Sequence, residues 1–127
     1  MPVKFHYFGV YARGEPARMI LSKGGKLAWE DNRFGFDQWG AIKPTMPNQQ
    51  VPCLEFEDGT KMGESKAIVR YVAMKNGFYP EVSYQAFLTD EAIETWGEVL
   101  AKTYPPQFAP DEATKAKLMD VTFATHT

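Results

Sequence analysis

The sequence predicts an α/β domain followed by the beginning of an all-helical domain. Val3 to Phe8 is dominated by aromatic and β-branched residues, and a second strand is predicted at Ala28 to Arg33. Helix signals lie between these two strands, and this order implies that the strands pair in parallel. The stretch VPCLEFEDGTKMG then indicates an antiparallel hairpin, because Asp58-Gly59 is a favoured tight turn.

The helix between the first two strands is predicted to begin near Pro16 and to end at Gly24-Gly25. Proline suits the first helical position, and Glu15 beside it favours the positive end of the helix dipole. The two glycines favour a helix end. A shorter stretch, Asp37 to Ile42, has weaker helical character and is followed by prolines that interrupt it.

A third helix is predicted after the hairpin, with Ser65 as its N-cap. Its apolar stripe has the spacing of one helical face: Ile68, Val69, Val72 and Ala73. Gly77 suits its end. The order β-α-β-α-β-β-α over residues 1–80 matches a thioredoxin-like domain, which is the predicted fold of the first domain.

Residues 81–127 are predicted to form part of a helical second domain. The stretch GFYPEVSY indicates a linker, and Phe87 to Lys102 shows helical spacing of its apolar residues. Pro105-Pro106 are predicted to end this helix. Asp111 is placed to cap one more helix. We expect this segment to be a partial domain, because it is too short for a complete one.

Composition excludes several classes of function. The formal net charge is -2 and no lysine or arginine cluster stands out, so we expect no nucleic-acid partner. Cys53 is the single cysteine, which excludes an internal disulfide and zinc-binding cysteine pairs, and we expect no metal. No apolar run reaches the length of a membrane span, and no signal peptide is visible. These features predict a cytoplasmic protein.

Three motifs resemble those of one family. HYFGVYARGEPAR is similar to the start of the tyrosine-type glutathione transferases, especially the sigma and alpha classes, and Tyr7, Arg13, Glu15 and Arg18 match the family's offsets. DQWGAIKPTMPNQQVPCLEF resembles the family's Trp…Lys…Pro…Ile/Val-Pro segment. GESKAIVRYVA resembles the start of its Gln/Glu-Ser-x-Ala-Ile-x-Arg-Tyr helix. The resemblance covers residues 3–80 and becomes weaker after Pro80.

The resemblance implies that Tyr7 stabilises the thiolate of bound glutathione, with Arg13 adding positive charge nearby. A free thiol has a pKa of about 8.5 and is mostly protonated at neutral pH. Lowering that pKa by about 2 units requires roughly 2.7 kcal/mol. One hydrogen bond to a charged group supplies about 1.5–3 kcal/mol. Alternatively, Tyr7 is an aromatic residue that closes a core strand, and Tyr11 is a rival hydroxyl that would otherwise line the second-substrate pocket.

The same resemblance assigns the remaining contacts with glutathione. Val51 and Pro52 would bind its cysteinyl backbone across a cis peptide bond, although a proline at a strand start explains the pattern equally. Glu64 and Ser65 would bind the γ-glutamyl end at a helix N-terminus. Trp39 and Lys43 would contact the glycyl carboxylate, and Gln50 would hydrogen-bond the ligand backbone. The alternative for Lys43 is a solvated surface lysine.

The resemblance implies a glutathione transferase that attacks small electrophiles with glutathione, which is a detoxification reaction. Glutathione would be its substrate, and a homodimer or larger protein complex would cover its apolar surfaces. The short helical segment favours an alternative, in which the chain is a non-catalytic transferase-like subunit of a larger complex. A glutathione-dependent isomerase would use the same site.

Overall fold

A computed structural model describes the backbone of residues 2–107 and 110–124, and the side chains of residues 2–104 and 110–121. The chain divides into two compact units, Met1–Thr89 and Asp90–Thr127. The first unit holds a four-stranded sheet, and every residue assigned to the candidate site lies in it. The domain boundary predicted after residue 80 precedes the boundary between these units and stays a prediction.

The sheet has the strand order β2-β1-β3-β4. Its strands are β1 (Val3–Phe8), β2 (Trp29–Phe34), β3 (Cys53–Glu55) and β4 (Lys61–Met62). β1 pairs in parallel with β2 and antiparallel with β3, and β3 pairs antiparallel with β4. The predicted parallel pair and hairpin are therefore confirmed, although the first hairpin strand ends one residue before Phe56.

Three helices accompany the sheet: α1 (Glu15–Gly24), α2 (Trp39–Ile42) and α3 (Ser65–Lys75). α1 has its proline in the first turn and ends at Gly25, whose φ of 70° is left-handed. Short 3-10 turns precede and follow α2. The predicted order of elements is confirmed, and with it the thioredoxin-like α/β class.

The core of the first unit lies between the sheet and the helices α1 and α3, which pack on each other. Its fully buried side chains include Phe5 and Leu54, which face each other across β1 and β3, together with Leu21 of α1 and Val72 of α3. The predicted stripe of α3 is buried as expected: Ile68, Val69, Val72 and Ala73. This packing fixes β1, the strand that carries Tyr7.

A buried histidine on β1 joins this strand to both of its neighbours, β2 and β3. His6 of β1 lies 2.7 Å through Nε2 from Glu55 Oε2 of β3, and 2.6 Å through Nδ1 from Asn32 Nδ2 of β2. Because an amide nitrogen only donates, Nδ1 accepts and Nε2 carries the proton that is donated to Glu55. His6 is 6% exposed, so this bridge satisfies a buried polar group on the sheet face opposite Phe5.

Two further helices are α4 (Ser83–Gln107) and α5 (Glu112–Ala124). α4 begins at Ser83 rather than at Phe87, so the helix extends four residues beyond the stretch whose apolar spacing predicted it. It also includes Pro105-Pro106, which lie in its last turn, where helical dihedrals persist. Within the described ranges, no helix combines the length and apolarity that crossing a membrane requires.

The predicted cap of α5 is confirmed. The Thr114 amide donates to Asp111 Oδ1 at 2.6 Å. This hydrogen bond stabilises the carboxylate and lowers the pKa of Asp111. The cap therefore begins α5 in the way that the sequence pattern indicates.

The C-terminal ends of α1 and α3 are joined by the side chain of Asn76. Its Nδ2 donates to Val72 O at 2.8 Å, and its Oδ1 accepts from the Lys26 amide at 3.0 Å. A Cβ at Gly24 would overlap this amide, so the glycine leaves the room that Asn76 occupies. Asn76 is 2% exposed, and its amide satisfies backbone groups that water does not reach.

We expect Asn76→Ala to lower the free energy of unfolding by about 1–3 kcal/mol, because the buried side-chain amide and both of its hydrogen bonds are lost. Urea denaturation followed by circular dichroism measures the change. Met74→Ala is the matched control, because Met74 is 55% exposed in the same helix. A loss no larger than that of the control would contradict the assigned role of Asn76.

Candidate functional site

Tyr7 lies near the carboxyl end of β1 and is 5% exposed. Its hydroxyl accepts a hydrogen bond from the Arg13 amide, with 3.2 Å between nitrogen and oxygen. An amide can only donate, so the phenol oxygen is the acceptor in this hydrogen bond. The fold thus places the Tyr7 hydroxyl beside the turn that begins α1.

A buried guanidinium, that of Arg18, holds the loop between β1 and α1. Its Nε donates to Asp31 Oδ1 at 2.9 Å, Nη1 to Val10 O at 3.0 Å, and Nη2 to Tyr7 O at 3.4 Å. It also lies 5.4 Å from the centre of the Tyr7 ring and 5.5 Å from that of Phe5. Arg18 is 2% exposed, so its charge is compensated by Asp31 and by backbone carbonyls.

Arg13 contributes to the site through its backbone. It lies in the 3-10 turn Ala12–Gly14, its side chain is exposed, and its amide contacts Tyr7. The sequence suggested a role for its charge, and that role stays a prediction. The amide contact depends on the turn geometry and could not be predicted from the type of side chain.

The two candidate phenols differ in their surroundings. Tyr11 is 77% exposed, whereas Tyr7 is buried and hydrogen-bonded to the turn. The Tyr11 carbonyl accepts from the Glu15 amide at 3.0 Å, so its backbone takes part in the start of α1. The two hydroxyls are therefore not equivalent, and Tyr7 is the more rigidly placed of the pair.

The Val51–Pro52 peptide bond is cis, as the fold resemblance implied. Pro52 is buried and Val51 is partly exposed. The register of β1 and β3 pairs His6 with Cys53, so its continuation places Pro52 opposite Tyr7. Tyr7 and Pro52, two of the predicted site residues, thus lie opposite each other, near the end of β1 and just before β3.

The start of α3 differs from the sequence prediction in one respect. The N-cap residue is Glu64, and Ser65 is the first helical residue, without a side-chain capping bond at this end. The prediction of Ser65 as N-cap is wrong, because Glu64 takes the non-helical dihedrals that an N-cap requires. Its φ is 70°, a conformation that costs a residue other than glycine about 1–3 kcal/mol. The surrounding structure therefore holds Glu64 in a strained position.

An aromatic cluster places α2 at the carboxyl ends of β1 and β2. Its members are Phe8, Phe34, Phe36 and Trp39. The Trp39 ring lies edge-on to Phe8 at 5.3 Å and stacks on Phe34 at 6.0 Å, and Phe8 in turn contacts the Tyr7 ring at 5.6 Å. Trp39 is therefore linked to Tyr7 through a single intervening ring.

Lys43 and Gln50 lie on the exposed segment between α2 and β3. Lys43 follows α2 directly, and the Gln50 amide donates to Pro47 O at 3.1 Å. Asn48 and Gln49 between them have positive φ of 53° each, so the segment turns sharply before the cis proline. Both side chains reach solvent, where either could meet a ligand.

Cys53 follows the cis proline and is fully buried. Burial raises the pKa of its thiol to about 11, and the nearby Lys61 opposes this shift. The thiol is therefore protonated at neutral pH. No group of His, Cys, Asp and Glu side chains within the described part of the chain has a geometry that could hold a metal ion.

Comparisons with known proteins point to one family. A glutathione S-transferase of Anopheles gambiae is 37% identical over 116 residues, which cover 91% of this chain and 56% of that relative. The structure of prostaglandin synthase D of Nilaparvata lugens is similar with a TM-score of 0.84 and 34% identity, covering 97% of this chain and 61% of that chain. A sigma class GST of Fasciola hepatica gives a TM-score of 0.80 at 29% identity, covering 98% of this chain and 60% of that chain.

The chain spans about half the length of the curated relatives that it matches, with 56%, 42% and 54% of three of them covered. No protein-family profile matches the chain. All of the candidate site residues lie in the first unit.

We expect iodoacetamide to label Cys53 slowly in the folded protein at pH 8, because the thiol is buried and its pKa is raised from 9.0 to about 11. Labelling in urea, followed by mass spectrometry, gives the rate for the unfolded chain. Equal rates in the two states would contradict the burial.

The same pKa shift gives a pH dependence of stability. Because the unfolded thiol ionises at a lower pH than the folded one, its contribution to stability is fully present below about pH 9. This contribution is lost as the pH rises from 9 toward 11. Cys53→Ser, which has no thiol to ionise, is the control for that alkaline loss.

Proposed function

The chain belongs to the glutathione S-transferase family, and we propose that it binds glutathione and stabilises its thiolate for attack on electrophilic substrates. The observation that carries this proposal is the Tyr7 hydroxyl, held by the Arg13 amide at the end of β1. A phenol placed in this way can donate its hydrogen to a sulfur anion. Tyr7 is then the catalytic residue, with Arg13 beside it.

The arrangement suits the ionisation of a thiol. A phenol oxygen that accepts from an amide becomes a better donor through its own hydrogen, because linked hydrogen bonds polarise one another. A hydrogen bond to a charged group is worth about 1.5–3 kcal/mol, which corresponds to a thiol pKa shift of about 1–2 units. The buried guanidinium of Arg18 adds positive charge near the same ring. Thiolate would then be a substantial fraction of bound glutathione at neutral pH.

The cysteinyl backbone of glutathione would bind beside the cis proline. Strand pairing between β1 and β3 ends at Cys53. Val51 lies two residues before this point, outside the paired part of the two strands. Backbone groups at such a position can pair with an extended peptide as an added strand does. Because Pro52 lies opposite Tyr7 in the register, this pairing would place the ligand's sulfur near the phenol.

The γ-glutamyl end would bind at the N-terminus of α3. The first amides of a helix lack partners within the helix, and the helix dipole adds positive charge there. The amide and hydroxyl of Ser65 would bind the carboxylate. The strained Glu64 would present its carboxylate to the ligand's ammonium group, and strain of this kind is common at ligand-binding positions.

The glycyl carboxylate would bind on the α2 side. Trp39 is held by the aromatic cluster, and Lys43 follows it by one helical turn with its ammonium group exposed. Gln50 would hydrogen-bond the ligand backbone. A cation and two neutral donors on one segment suit a small carboxylate.

The electrophile, the partners and the location are parts of the same proposal. A cavity of about 340 Å³, lined in part by Val10, Phe34 and Phe36, adjoins the β1–α1 loop and offers apolar walls to a small electrophile.

Exposed apolar side chains such as Met62 and Met74 support a homodimer or a larger complex. A single buried cysteine is consistent with the cytoplasm.

We expect Tyr7→Phe to bind glutathione with near wild-type affinity but to raise the pKa of its bound thiol by about 1–2 units, because one hydrogen bond to the thiolate is lost. Thiolate absorbance titrated against pH measures this pKa, and calorimetry measures affinity. Tyr11→Phe is the matched control and should leave the thiol pKa unchanged. A shift in Tyr11→Phe instead would assign the role to the rival phenol.

Absence of binding at millimolar glutathione would overturn the transferase proposal and favour the non-catalytic subunit. If glutathione binds and ionises, a screen of electrophiles tests turnover. Because one structural neighbour is named a prostaglandin synthase, a lipid substrate belongs in the same screen as a test of isomerisation.

A further inference from the structure

Gly14 faces the ring of Tyr7. It is buried, and a Cβ built on it would lie 2.6 Å from Tyr7 Cγ and 2.9 Å from Tyr7 Cε2. Real side chains do not approach each other this closely, so a larger residue at position 14 would displace the ring. The phenol therefore occupies the space that the missing side chain leaves.

Backbone conformation does not explain this glycine. Gly14 has φ -86° and ψ -20°, which any residue adopts without strain. It is also the N-cap of α1, a position where serine, threonine, aspartate or asparagine would stabilise the helix through a side-chain hydrogen bond. Glycine supplies no such bond, and it is the residue that lets the turn lie directly against the Tyr7 ring.

The contact belongs to the same turn that hydrogen-bonds the phenol. Arg13, the preceding residue, donates its amide to the Tyr7 hydroxyl at 3.2 Å. Arg18, on the first turns of α1, holds the loop carbonyls and lies against the ring. Three residues near the start of α1 therefore determine the position of one side chain: Arg13, Gly14 and Arg18.

We propose that Gly14 is a positioning residue for Tyr7, which sets the direction in which the phenol donates to the sulfur of glutathione. The proposal rests on the proposed function of Tyr7. Gly14 itself would touch no part of glutathione, because its open side is filled by the ring. Its effect is exerted on the hydrogen bond to the thiolate and not on the binding of the peptide.

The expected result of Gly14→Ala is a rise of about 1 unit in the thiol pKa of bound glutathione, which is a tenfold loss of thiolate at neutral pH. The affinity measured below the thiol pKa should stay within about threefold, a change of under 1 kcal/mol. Gly9→Ala is the matched control. A Cβ at Gly9 would meet no atom within 4 Å, so both quantities should stay at the wild-type values.

A double-mutant cycle separates positioning from a general structural effect. In Tyr7→Phe the ring remains and the hydroxyl is gone, so Gly14→Ala still disturbs the packing. The thiol pKa should then be the same in Tyr7→Phe and in Tyr7→Phe/Gly14→Ala. An equal rise of the pKa in both backgrounds would overturn the proposal, as would an unchanged pKa in Gly14→Ala alone.

If Gly14→Ala does not fold, the free energy of unfolding is compared between Tyr7→Ala and Tyr7→Ala/Gly14→Ala. Without the ring, Gly14→Ala should cause no further loss of stability in urea denaturation. A further loss would overturn the proposal, because the glycine would then be required for a different contact. If wild-type protein fails to ionise bound glutathione, the proposed function fails, whereas this stability comparison still tests the contact between Gly14 and the ring.

Discussion

The buried guanidinium of Arg18 is the interaction on which the candidate site depends. It joins the end of β1, the loop that follows it and Asp31 of β2 through three hydrogen bonds, of which the one to Asp31 is also an ion pair. A charge with 2% exposure is tolerated only because every part of it is compensated. Removing it would leave the Tyr7 and Val10 carbonyls without this donor and would leave Asp31 with Arg33 as its remaining ion-pair partner. The loop that carries the Arg13 amide would lose its support.

The positions of the other site residues depend on Arg18. β1 is paired on both sides, so Tyr7 lies on an interior strand of the sheet. Its ring is placed by Gly14 and its hydroxyl by the Arg13 amide, both on the turn that Arg18 holds. The cis proline immediately precedes β3, and continuation of the register places it opposite Tyr7, near the carboxyl end of β1. Ligands of open α/β sheets bind beyond the carboxyl ends of their parallel strands. A rigid phenol beside the backbone of Val51 and Pro52 is the arrangement on which the proposed thiolate stabilisation rests.

Local patterns in the sequence predicted the elements well, because their causes are local. The stripe of α3, the Asp111 cap and the Asp58-Gly59 turn each depend on a few neighbouring residues. The family resemblance supplied Tyr7 and Pro52. By contrast, the roles of Gly14 and Arg18 and the His6 bridge depend on partners that only the folded chain brings together. The N-cap of α3 was predicted one residue too late, at Ser65, because an N-cap is defined by dihedrals, and Glu64 adopts them at a positive φ that its residue type disfavours.

The most direct test of the account is a crystal structure of the chain with glutathione bound. We predict that the ligand's sulfur lies within hydrogen-bond distance of Tyr7 Oη, with its cysteinyl backbone paired to Val51 and its γ-glutamyl carboxylate at the first amides of α3. A sulfur that contacts Tyr11 or solvent instead, with Tyr7 Oη donating elsewhere, would contradict it.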